Sequence, residues 1–254
     1  MSWAAKRRLI ILLIVGALAA AIFALFSFSA FYEAPSCSDS IQNQDEAGID
    51  CGGSCAYLCT AQMQPPTVLY VSALPGGEGR TDVVALIENK NADAAAKAVP
   101  YRIILYGSGQ ALIQETSGTI DIPPGAAVPV YVPSIFSGKQ KVMRAFLTID
   151  SEKVAWFSMP QDTRTIPLVS NITQVPGESA PRIEATLTNP SVYPLSRVRI
   201  IVIVHGASGD VMTASQTIIS AIPAQGQSAA VFTWNEPFAS TPTSIEVIPV
   251  IPLP

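Results

Sequence analysis

From Leu9 to Phe31 the chain runs for 23 residues without a charge, LIILLIVGALAAAIFALFSFSAF. At 1.5 Å rise per residue a helix of that length spans roughly 34 Å, enough for the ~30 Å hydrocarbon core of a bilayer. Lys6, Arg7 and Arg8 stand immediately before the run and Glu33 follows it. The positive-inside bias therefore places residues 1–8 in the cytoplasm as a short tail, 9–31 in the membrane, and everything from 32 onward outside. A cleaved signal peptide is the competing reading, but its apolar core is usually ~7–15 residues long with a small-x-small exit. Only Ser27-Phe28-Ser29 offers such an exit, so an uncleaved single-pass anchor in the cell membrane is expected. Ala34-Pro35-Ser36 ahead of Cys37 makes a poor lipobox, which disfavours a lipid anchor.

Setting the anchor aside changes the electrostatics. Lys6, Arg7 and Arg8 are three of the 15 basic residues, so the exported part keeps 12 against all 19 acidic ones, a balance of −7. An acidic surface favours solubility and disfavours binding to nucleic acid or anionic lipid. Apolar residues make up 49% of the 254-residue chain, which excludes global disorder. A single histidine removes most acid–base catalysts from consideration.

All four cysteines, Cys37, Cys51, Cys55 and Cys59, fall within 23 residues just beyond the anchor. In an oxidising compartment an even, clustered set implies two disulfides, and a segment this poor in apolar residues needs them to hold its shape. Three connectivities are possible. Gly52-Gly53 permits a tight turn at positive φ between Cys51 and Cys55. Zinc is disfavoured because paired Cys-x2-Cys knuckles are absent and thiols outside the cytoplasm oxidise. Asp39, Asn43, Asp45, Glu46 and Asp50 can offer oxygens to calcium, although their spacing is not that of an EF-hand. Solvated acidic turns are the expected reading, with no cofactor.

The segment Cys-x-Asp-x-Ile-x-Asn-Gln-x-Glu-x-Gly-x-Asp-Cys-Gly-Gly-x-Cys-x-x-x-Cys, Cys37 to Cys59, resembles a cysteine-rich signature of extracytoplasmic parts of bacterial and archaeal surface proteins. Its matching positions include Asp39, Ile41, Asn43, Gln44, Glu46, Gly48 and Asp50, and Ser40 stands where Gly is expected.

Beyond Met63-Gln64-Pro65-Pro66 the texture changes to short β-branched and aromatic runs punctuated by Gly, Pro, Asn and Ser. That is strand-and-turn chemistry. Strands are expected near 67–74, 81–88, 99–106, 111–120, 127–132, 141–149 and 153–158. A second set is expected near 165–173, 182–188, 197–204, 211–219, 228–234 and 243–249, while the Ala-rich stretch Ala92–Ala98 reads as a loop. The two sets repeat at an offset near 100 residues: Ile87-Glu88-Asn89 matches Leu187-Thr188-Asn189, and Ile122-Pro123-Pro124-Gly125 matches Ile222-Pro223-Ala224-Gln225-Gly226. Six or seven short strands in ~100 residues fit an immunoglobulin-like sandwich. The order of Glu-Asn or Thr-Asn-Pro, the Tyr101–Tyr106 strand, the Gly107-Ser108-Gly109 turn and Ile-Pro-Pro-Gly resembles FxLYD and related prokaryotic Ig-like families. This resemblance implies adhesive, spacer or assembly modules.

Few residues suggest chemistry. His205 ends a β-run before Gly206, and no Gly-x-Ser-x-Gly elbow accompanies it. Asp150 and Glu152 flank a turn, and Gly76-Gly77-Glu78-Gly79 lacks the helix and Lys of a phosphate loop. Trp156 and Trp234 near strand ends are expected to cover sandwich edges, with sugar stacking as the sharper alternative. Asn171-Ile172-Thr173 is a glycosylation sequon. The prolines of Pro249–Pro254 exclude a paired central strand, leaving either a blunted edge or one that a partner's strand completes.

The expected architecture is all-β: two tandem Ig-like sandwiches, 65–160 and 161–254, behind a cysteine-rich segment, 32–64, and one transmembrane helix. The expected role is a membrane-anchored, non-enzymatic binding or structural protein of the cell envelope. Its partner is an envelope protein or glycan, and the alternative is a glycan-binding or enzyme-accessory protein.

Overall fold

The computed structural model describes residues 3–31, 36–43, 45–175 and 180–254. Glu33, Ala34, Pro35 and, within the cysteine signature, Gln44 lie outside the described residues. The chain divides into two compact units, Met1–Cys55 and Ala56–Pro254.

In the first unit helix α1 spans Trp3–Phe31, and its stretch Lys6–Phe28 is long and apolar enough to cross a membrane or to serve as a signal sequence. It is apolar all round, unlike the one-sided stripe of a helix packed on a soluble core. The loop that follows is closed by a disulfide between Cys37 and Cys55, whose Cα atoms lie 5.6 Å apart. Cys51 and Cys59 are disulfide-bonded as well.

Among the described residues thirteen strands build the second unit: β1 (Thr67–Pro75), β2 (Arg80–Glu88), β3 (Ala94–Tyr106), β4 (Leu112–Ile122), β5 (Ala127–Phe136), β6 (Arg144–Ile149), β7 (Trp156–Ser158), β8 (Leu168–Val175), β9 (Arg182–Thr188), β10 (Leu195–His205), β11 (Val211–Ile222), β12 (Gln227–Thr233) and β13 (Ser244–Val250). Each falls on a segment whose β-branched and aromatic content predicts it. Boundaries shift by a few residues, as where β5 runs on to Phe136, and the largest shift is at β3, which opens with Ala94–Ala98, read from sequence as loop. Alanine is a poor strand former, but Ala94, Ala95 and Ala96 pair with β7 and are wholly buried, so tertiary pairing overrides propensity.

All pairings are antiparallel and form four sheets, β1-β2-β5, β4-β3-β6 with β7 also on β3, β8-β9-β12, and β11-β10-β13. The first two sheets enclose one core, with Val83, Ala85 and Ile87 facing Ile103, Leu105 and Leu147. The last two enclose another, built on Ile183, Leu187, Ile200, Val202, Val204 and Phe232. Alternation along each strand supplies the inward side chains.

The sequence repeat has a structural counterpart at Asn89 and Asn189, both buried at the end of a strand. Asn89 Nδ2 donates to the carbonyls of Ala94 (2.7 Å) and Pro123 (2.8 Å), and Asn189 Nδ2 donates to those of Tyr193 (2.8 Å) and Pro223 (3.0 Å). Each Oδ1 accepts the backbone N–H two residues on, from Asn91 or Ser191. Each asparagine thereby pins three backbone segments together. The Gly125 position of the first copy, at φ 56, is Gln225 at φ 50 in the second.

The two cores are joined by a third apolar layer. Leu74 and Val84, on the outer face of β1-β2-β5, pack with Ile201, Ile203 and Ala214 on the outer face of β11-β10-β13. Tyr70, Tyr131, Val211, Ile248 and Val250 complete it. The four sheets therefore stack as consecutive layers, and the two inner sheets are covered on both sides around Val84, Ile201 and Ile203. This explains the run Ile200–Val204, five consecutive buried residues where a half-exposed strand would alternate.

The chain's last residues return to the first sheet pair. Leu253 is buried against Ala95 and Met159, and its N–H donates to Asp121 Oδ2 (2.8 Å). Arg164, in the connection between the pairs, grips Asp162 with three hydrogen bonds, one from its backbone N–H and two from its guanidinium, and donates through Nη1 to the carbonyl of Ile251 (2.6 Å). The guanidinium holds the Asp162 carboxyl below its ordinary range.

Candidate binding face

The outer face of the β4-β3-β6 sheet is the principal candidate. Pairing across the sheet puts Leu112, Tyr106 and Arg144 in one row, then Ile104 with Phe146, then Arg102 with Thr148. Ile103 and Leu105 point into the core, so alternation turns Arg102, Ile104 and Tyr106 outward. Tyr106 and Phe146 meet edge to face, with ring centroids 5.8 Å apart and planes at 78°. Leu112, Met143 and Phe146 are roughly half exposed or more. With the turn Gly107–Gln110, the side chains of Ile104, Tyr106, Met143 and Phe146 line a cleft of about 690 Å³ whose floor is apolar and whose rim carries Arg144, Ser108 and Gln110. Arg102 pairs with Glu115 at 3.4 Å across the same face. An apolar floor with a polar rim suits a protein surface or an amphipathic ligand.

The cysteine-rich loop uses its acidic residues internally. Asp50 accepts the N–H groups of Asp39 (3.0 Å) and Ser40 (2.9 Å), while Asp39 accepts Ile41 N–H and Asn43 Nδ2. Ser40 has φ 61, the left-handed conformation for which glycine is the unstrained choice. Asp45 accepts the Ser54 hydroxyl, and buried Glu46 accepts Asn43 N–H. Cys37, Glu46 and Cys55 come together, but the two sulfurs are bonded to each other and leave only the carboxylate as a metal donor.

The other singled-out residues do not converge. His205 Nδ1 lies 3.1 Å from the Gly209 carbonyl and Nε2 3.2 Å from Glu246 Oε1, and the Thr243 hydroxyl donates to the His205 backbone carbonyl and not to the ring. Asp150 is bound by Lys153 at 2.8 Å, which holds its carboxyl below the usual range. Gly76–Gly79 forms the β1–β2 turn, with Gly77 and Gly79 at positive φ. Trp156, expected at a sandwich edge, is instead 1% exposed in the first core and offers no stacking surface. Trp234 is half-buried edge to face on Phe238. Asn171 is exposed on the bulge of β8.

Pro249 lies on β13, an outer strand of its sheet. Pro194 stands where Ala95 of the first copy pairs with Phe157 of β7, as the bonds from Asn89 and Asn189 align the two copies. Without an N–H it cannot complete such a ladder, so this edge is blunted against strand addition.

No family model and no curated protein matches the chain. Among solved structures it is similar to a transglutaminase of red sea bream, at 13% identity and TM-score 0.25 over 74% of this chain and 29% of that one. It is also similar to the exo-chitosanase CsxA of Amycolatopsis orientalis, at 13% identity and TM-score 0.22 over 73% and 26%. The chain thus spans less than a third of the length of these proteins.

Proposed function

We propose that the chain is a single-pass, membrane-anchored structural and binding protein of the cell envelope. The N-terminal tail is cytoplasmic and the β-rich unit is held outside. In this reading each sheet pair is an Ig-like, FxLYD-like sandwich. The antiparallel three- and four-stranded sheets, their facing cores and the repeated asparagine pins support that assignment. The observation that carries the role is the dry layer of Leu74, Val84, Ile201, Ile203 and Ala214. It turns two modules into one rigid block, which suits presentation of a face at a fixed attitude better than flexible reach. The Lys6-Arg7-Arg8 cluster in the first turns of α1, ahead of its uncharged run, and the four bonded cysteines support the topology.

The test is intact mass of the full chain after thiol alkylation without reduction, together with protease digestion of sealed membrane vesicles. No alkyl label, resistance to alkaline extraction and digestion only from the outer side are expected. Four labelled thiols would overturn the compartment. Glycan binding is the second reading, favoured by the aromatic floor of Tyr106 and Phe146. A glycan titration in which Tyr106→Ala abolishes binding would support it.

A further inference from the structure

The register equates the outer faces of the two repeats. In the first, Tyr106, Ile104 and Arg102 stand opposite Arg144, Phe146 and Thr148. In the second, His205, Ile203 and Ile201 stand opposite Ser244, Glu246 and Ile248. The turns that follow agree, since Gly107 N–H bonds Ala111 and Gly206 N–H bonds Asp210. In the second repeat this face is an interface, seated on the outer face of β1-β2-β5. In the first repeat the same face is open, with Leu112 59%, Met143 58% and Phe146 48% exposed.

The partner face is duplicated too. The second repeat's counterpart of β1-β2-β5 is β8-β9-β12. Its outer side carries Thr186, Glu184 and Ala229 with Leu168 and Val175, of which Leu168 is 62% and Val175 40% exposed. One chain thus ends in one open face of each kind, at opposite ends of the four-layer stack.

We propose that the chain assembles head to tail, the β4-β3-β6 face of one copy seating on the β8-β9-β12 face of the next. The contact continues outward the stack that each chain already builds internally. It is heterologous, so it propagates to rings or filaments instead of stopping at a two-fold dimer. Thr186, Thr188 and Glu184 make the receiving face more polar than Leu86 and Val84 make its internal counterpart. Each contact is therefore weaker than the internal one, and confinement on a membrane raises the effective concentration that drives it. The proposal names the partner of the structural role proposed above and rests on that reading.

Sedimentation of the full chain in detergent micelles, from about 1 to about 300 µM, tests it. Wild-type mass should rise with concentration past the dimer. Phe146→Asp or Arg144→Glu on one face, and Thr186→Arg on the other, should each weaken association at least about tenfold. An equimolar mixture of Phe146→Asp and Thr186→Arg retains one intact pair of faces, so it should form one-to-one dimers and grow no further. Unchanged urea midpoints show that the variants fold. A wild type monomeric throughout, or association untouched in both variants, overturns the assembly. A monomer that stays membrane-bound and unfolds as one unit leaves the anchored scaffold standing.

Discussion

The carboxylate of Asp121, in β4, accepts a hydrogen bond at 2.8 Å from the backbone N–H of Leu253, 132 residues further along the chain. Its other oxygen accepts the N–H of Ala98, also at 2.8 Å, where the backbone has φ 51. Asp121→Ala releases both N–H groups, and charged hydrogen bonds of this kind contribute about 1.5–3 kcal/mol each. A loss of about 2–3 kcal/mol is expected in urea unfolding. Asp121→Asn keeps one acceptor and should lose less. Equal midpoints for Asp121→Ala and wild type would show that the C-terminal strap carries no stability.

Asn89→Ala takes the side-chain donor from the carbonyls of Ala94 and Pro123, and Asn189→Ala takes it from those of Tyr193 and Pro223, the last of which keeps the Gly226 N–H. A buried unmet group costs about 1–3 kcal/mol, so Asn89→Ala should lose roughly 3 kcal/mol and Asn189→Ala less. The two sites lie in different cores and should add within about 0.5 kcal/mol. Strong coupling between them would show that the copies fold as one motif.

Ile203→Ala removes a wholly buried side chain from the layer between the repeats. A cost of about 2–4 kcal/mol follows from lost contacts and the residual cavity. Because the layer belongs to both sheet pairs, hydrogen exchange should quicken at Val83 in the first as well as at Val202 in the second. Quickening confined to the second repeat would show modules that fold independently.

Burial, and then the charge of Glu246, push the Tyr70 hydroxyl up to about 12. Burial and the hydrogen bond to Asp82 (2.7 Å) raise that of Tyr131 as well. A raised folded value means that the unfolded chain loses its phenolic proton first as pH rises above 10. The tyrosines' contribution is thus complete below pH 10 and is lost as pH climbs through the folded values. Urea midpoints should fall from pH 10 toward 12 in wild type and fall less steeply in Tyr70→Phe. Identical slopes would disconnect Tyr70 from the alkaline transition.

Local chemistry made the strands legible: β-branched runs bounded by Gly, Pro and Asn predict every strand of both repeats to within a few residues. The repeat offset likewise singled out Asn89 and Asn189, whose side chains proved to be the shared pins. Non-local choices were harder to read. Ala94–Ala96 became strand because β7 arrives from some sixty residues away, and Trp156 entered the core with that strand. The interface between repeats did leave a trace, in the unalternating Ile200–Val204 and in Val83-Val84-Ala85, all buried. Such runs mark strands covered on both faces, but they do not say which sheet does the covering. The binding face left a fainter one, since Tyr106 and Phe146 become neighbours only through the β3–β6 register.

The return of Leu253 to the first repeat also makes the second repeat a closed insertion. The backbone leaves the first sheet pair at Met159 and comes back to it at Leu253, which packs beside Met159 itself. The second repeat is therefore joined to the first by a paired neck as well as by the layer of Leu74, Val84, Ile201 and Ile203.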